Sequence, residues 1–132
     1  MLKVSIASFS FIYGPFPQDV SGTGGGFVFD CRALPNPGRY DEYKKLSGKD
    51  ESVKTFLKNE AEVAAFFESV KSLIEPSVKN YIKREFESLQ ISFGCTGGQH
   101  RSVYLTEKLA KYLIDNYDIQ VDVKHLREDI WG

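Results

Sequence analysis

Residues 88–102 read SLQISFGCTGGQHRS, and this stretch decides how the chain folds. Ser88–Phe93 alternates apolar and polar side chains, the period of a half-buried strand. Gly97-Gly98 permits a tight turn. The residues after it, Gln99–Tyr117, carry Leu105, Leu109 and Leu113 four apart, the spacing of one helix face. A strand that turns through glycines into a helix is a unit of an α/β sheet. It also builds an anion site, because consecutive turn amides and the start of a helix point N–H groups at one place.

The side chains in the loop Cys95–Ser102 fit that reading. Thr96, Gln99 and Ser102 offer hydroxyl or amide donors beside the backbone of Gly97 and Gly98, and His100 and Arg101 supply charge. An arginine grips two phosphate oxygens at once, which a lysine does not. A tight turn alone accounts for the glycines but not for the Thr, His, Arg and Ser around them. Cys95, Gly98, Arg101 and Ser102 also form C-x-x-G-x-x-R-[ST], the arrangement of cysteine-dependent phosphatase loops. In that alternative Cys95 is the nucleophile, Arg101 clamps the oxyanion, and Asp30 or Asp41 is the candidate acid. Cys95 lying inert within the sheet is the opposing expectation.

Outward from the loop, Leu2–Phe9 reads as a first strand. Tyr13–Gly26 reads as an exposed loop rich in Gly and Pro, and Phe27–Phe29 as a second strand ending in Asp30-Cys31-Arg32. Leu34–Gly38 is a turn, and Ser52–Leu57 a short helix. In Glu60–Glu75 the residues Val63, Phe66, Phe67, Val70, Leu73 and Ile74 make a continuous helical face. Pro76 is expected to end that helix and open another carrying Val78, Tyr81, Ile82 and Phe86. Ile119–Val123 reads as the last strand. The expectation is a single α/β domain with a mostly parallel sheet of about four strands and flanking helices. Ligands of such sheets sit at the carboxyl ends of strands, where Asp30, Arg32 and the glycine loop gather.

The chain has 132 residues, a formal net charge of −1 and two cysteines. That balance gives no global drive toward nucleic acid or anionic membrane. Two cysteines and two histidines without metal-binding spacing predict no metal site, and nothing calls for a cofactor. No apolar run spans a bilayer, and the start lacks signal-peptide character. These features predict a cytoplasmic protein with reduced thiols. His125 and Cys31 are expected to be structural. Tyr13, Phe16, Tyr40, Tyr43 and Trp131 are candidates for an interface, including one between copies of the chain.

The loop GCTGGQHRS resembles the signature of the C-terminal domain of the RapZ (YvcJ-type) family. Ser8–Gly14 (SFSFIYG), Phe27–Pro37 (FVFDCRALPNP), Leu46–Asp50 (LSGKD) and His125 follow in that family's order. The family's N-terminal P-loop domain has no counterpart, since G-x-x-x-x-G-K-[ST] does not occur in this sequence. The resemblance implies a domain like part of phosphofructokinase that binds glucosamine-6-phosphate and, in some members, regulatory RNA. It implies a non-enzymatic site made of Thr96, Gly97, Gly98, His100 and Arg101, with Asp30, Arg32 and Asn36 nearby. Where the family usually has an aromatic residue or His, this chain has Gly38, and its Pro15–Gly26 loop is longer. For RNA, the best basic stripe is Lys79, Lys83 and Arg84, which Glu85 and Glu87 interrupt.

Overall fold

In the computed structural model, which describes residues 1–19 and 21–131, four strands form one sheet. They are β1 (Lys3–Ser10), β2 (Gly26–Asp30), β3 (Ser88–Cys95) and β4 (Gln120–His125), in the order β2-β3-β1-β4. Every pairing is parallel, with Ile6 opposite both Ile91 and Val123, and Asp30 opposite Gly94. Parallel strands need crossovers. The helices α1 (Glu51–Lys58), α2 (Ala61–Lys83) and α3 (Arg101–Asn116) supply them for the last two, and α4 (Glu128–Trp131) closes the described chain.

The order explains why the helices share one face. The steps β2 to β3 and β3 to β4 both run toward the β4 edge, so right-handed crossovers put α1, α2 and α3 on the same side. Val4, Ile6, Leu89 and Ile91 of the sheet are buried there with Val70, Ile74 and Val78 of α2 and Leu105, Leu109 and Leu113 of α3. Burying each such side chain contributes roughly 1.5–3 kcal/mol. The step from β1 back to β2 runs the other way, so its loop crosses the opposite face. Phe11 and Phe16 pack there against Phe9, with ring centroids 4.7 and 5.8 Å from it.

One expectation fails. Pro76 neither ends nor starts a helix but sits inside α2, which runs unbroken to Lys83. Val70, Ile74 and Val78 lie four apart and are all buried, so the core-facing stripe continues through the proline. A proline in a helix interior costs about 3 kcal/mol, and the packing on both sides of it offsets that. The predicted stripe is also narrower than expected, since Leu73 is 59% exposed. No described helix is long and apolar enough to cross a membrane.

Candidate functional site

The carboxyl ends of β1, β2 and β3 converge beneath the loop Cys95–Ser102. Gly98 has a positive φ of 66°, and a Cβ there would come within 2.9 Å of the Arg127 stem and 3.0 Å of the Phe9 backbone. Glycine is therefore required at 98 by conformation and by space. Gly97 is different, because a Cβ there would meet nothing within 4 Å.

The two sides of the loop backbone are treated oppositely. Its carbonyls are held by distant parts of the chain: Cys95 O accepts from Phe11 N at 3.0 Å, and Gln99 O from Gly48 N at 2.9 Å. Thr96 O accepts from the Ser10 hydroxyl at 2.6 Å, and Gly98 O from the Trp131 indole N–H at 3.0 Å. The N–H groups from Thr96 to Val103 have no acceptor among the described residues. Helix starts leave some donors free in any protein, but here the free run extends back through the whole turn.

Arg101 is 4% exposed. Its Nη1 donates to the carbonyls of Arg32 and Leu34, both at 2.9 Å, and its Nη2 to the Thr96 hydroxyl at 3.3 Å. Its Nε is buried without a partner. The guanidinium thus ties the segment after β2 to the loop and keeps one donor uncommitted. Arg32, Asn36, Thr96 and Arg101 line an open cleft of about 480 Å³, together with Arg39 and Glu62. Three guanidinium groups stand against the carboxylates of Glu62 in the lining and of Asp30 paired to Arg32, which leaves it locally cationic although the chain carries −1 overall.

The remaining residues expected at the site take up varied places. Gln99 Nε2 donates to the carbonyls of Lys44 and Leu46, and His100 Nε2 lies 2.8 Å from the Tyr43 carbonyl. A carbonyl only accepts, so His100 Nε2 carries the proton. Burial is the largest influence on His100 and pushes its pKa down, against the pull of that hydrogen bond, so the ring is neutral near pH 7. These two side chains anchor the 43–48 segment to the loop. Asn36 caps the short helical turn 37–39 through Gly38 N at 2.9 Å. A Cβ at Gly38 would stand 3.3 Å from the His100 ring, so glycine leaves that ring uncrowded.

Asp30 and Arg32 form a bidentate exposed pair, with Nη2 to Oδ2 at 2.7 Å, and Arg32 lies over the Phe11 ring at 4.2 Å. Hydrogen bonds from Arg32 hold the Asp30 carboxyl below its usual range. Asp30 is therefore a carboxylate, poorly suited to giving up a proton as a general acid. Asp41 is paired instead with Lys44 on the surface. Cys95 is 2% exposed, and its Sγ lies 3.1 Å from the hydroxyl of Ser102. Cys31 is fully buried in the core.

His125, the last residue of β4, is a structural tie. Its Nδ1 is 2.7 Å from the Ser8 hydroxyl and its Nε2 2.8 Å from the Glu107 carboxylate, joining β1, β4 and α3. Ser8 and His125 are both buried, so the pair serves the fold. Sequence reading did not single out Arg39 or Glu62 for the cleft, or Trp131 for the loop. Each meets the site only through tertiary contact, and no local pattern marks it.

A family model of the RapZ C-terminal domain matches residues 2–129. A nucleotide-binding protein of Thermosipho africanus (strain TCF52B) is 38% identical over 124 residues, covering 94% of this chain and 42% of its own length. One from Acetivibrio thermocellus is 41% identical over 128 residues, covering 90% and 42%. One from Clostridium botulinum (strain Eklund 17B) is 37% identical over 131, covering 98% and 42%. The chain thus spans about two fifths of the relatives it matches. With the strand, glycine turn and helix in place, the chain belongs to the RapZ C-terminal domain family.

Proposed function

We propose that this domain binds a small phosphorylated ligand on the loop Cys95–Ser102, as a sensor and not as an enzyme. The observation that carries the reading is the division of the loop backbone, with carbonyls held by the scaffold and consecutive N–H groups left without acceptors. Such an array binds an anion without rearrangement of the protein. The hydroxyl of Thr96 adds a donor and Arg101 adds charge, and the cleft of Arg32, Asn36, Arg39 and Glu62 would receive the rest of the molecule. The family resemblance makes an amino-sugar phosphate the ligand to try first.

The test is an amide NMR titration with inorganic phosphate and then glucosamine-6-phosphate. Saturable shifts at 96–103, stronger for the sugar phosphate, are the expected result. Unmoved resonances with both compounds would sink the reading.

One contact favours a second reading. The Ser102 hydroxyl beside Cys95 Sγ, 3.1 Å away, is placed to stabilise a thiolate under a bound phosphate. Against this cysteine-phosphatase reading stands the state of Asp30, held ionised by Arg32. Turnover of an aryl phosphate that vanishes in Cys95→Ser would establish it. RNA binding enters through the family alone. Its candidate surface is the stripe of Lys79, Lys83 and Arg84, and a salt-sensitive gel shift would decide it.

A further inference from the structure

We infer that Trp131 is a positioning residue of the glycine loop, and that occupancy of the loop is coupled to docking of the segment His125–Trp131. This rests on the loop being the anion site. The coupling runs through one peptide group. The Trp131 indole N–H donates to the Gly98 carbonyl at 3.0 Å. In a planar trans peptide the carbonyl and the following N–H point in opposite directions. Trp131 therefore fixes the plane of the Gly98–Gln99 peptide and the direction of the Gln99 N–H, which has no acceptor among the described residues. An anion that accepts from this N–H polarises the peptide and makes its carbonyl a better acceptor for the indole.

The segment is built to respond. α4 is one turn long and none of its residues is buried. Its start is anchored by Leu126 N to Ser8 O at 2.9 Å and by the contacts of His125. Beyond that, the Arg127 stem packs on Gly98 and its guanidinium lies 4.8 Å over the Tyr13 ring. The Trp131 ring stands 5.9 Å from that of His125. A segment with so few buried side chains lies low on the scale of local stability, where one altered hydrogen bond shifts the population. Coupling of this kind is reciprocal, so a ligand that secures the segment is itself held more tightly by it. Helix α4 becomes the output of the site.

Trp131 is the chain's only tryptophan, so its indole N–H gives a single side-chain resonance. The experiment follows that resonance together with the backbone amides of Gly97–Gln99 while inorganic phosphate and then glucosamine-6-phosphate are added. The expected result is that the indole signal moves saturably, with the same midpoint as the amides. Trp131→Phe keeps a ring against His125 but has no N–H. It should bind about three- to tenfold more weakly, the range spanned by one net hydrogen bond, with its unfolding midpoint little changed. If the amides shift while the indole stays still and Trp131→Phe binds undiminished, the coupling is wrong and the binding site stands. If neither moves, the site itself is wrong and the coupling falls with it.

Discussion

Nη1 of Arg101 lies 2.9 Å from the backbone carbonyl of Arg32, so one arginine at the start of α3 holds the segment where another emerges from β2. The same Nη1 reaches the Leu34 carbonyl, and the side chain is almost wholly buried. Arg101 therefore serves the fold and the candidate site at once. Arg101→Lys keeps the charge but loses the planar fork that spans two carbonyls and Thr96. It should destabilise the protein by about 1.5–3 kcal/mol, the worth of hydrogen bonds to a charged group, as read by urea unfolding. It should also weaken phosphate binding in the protein that remains folded.

Gly97 and Gly98 should respond differently to the same change. Gly98→Ala places a Cβ at positive φ and against Arg127 and Phe9, and should cost about 1–3 kcal/mol. Gly97→Ala faces open space and should leave the unfolding midpoint almost unchanged. Thermal denaturation of the two variants side by side makes the comparison. Equal losses would mean the turn is held in some other way.

His100 predicts a pH dependence. Its pKa in the folded protein lies below the unfolded value, chiefly because the ring is buried. The stability linked to the neutral ring is present above the unfolded pKa of about 6.5. It is lost as pH falls from there through the folded pKa, because the unfolded chain takes up the proton first. Unfolding free energy should therefore drop as the pH falls below about 6.5. His100→Gln should flatten that part of the profile.

Pro76→Ala restores a backbone N–H and removes the ring from the interior of α2. The variant should be more stable by about 1–3 kcal/mol, as much of the proline cost as the present helix has not already relaxed. Denaturant midpoints decide it. A loss of stability would show that the helix is shaped around the proline.

The strand at 88–95, the glycine turn and the helix after it were legible because each depends on neighbours in sequence. Alternation sets a strand, glycine permits a positive φ, and leucines four apart set a buried face. Thr96, His100 and Arg101 could be named as candidates from residue type and place, and of these Thr96 and Arg101 line the cleft while the His100 ring turns to the Tyr43 carbonyl. Their partners could not be named. Gln99 and His100 reach back to residues 43–46, Arg101 to Arg32 and Leu34, and Gly98 forward to Trp131. None of these pairings has a local signature. Pro76 shows the same division, for the residue type alone signals a helix end, and burial of Val70, Ile74 and Val78 overrides it. Local residue pattern sets the kind of loop and the side chains it carries. Which backbone groups of that loop are held and which are free follows from long-range packing, because it depends on what the folded sheet brings against them.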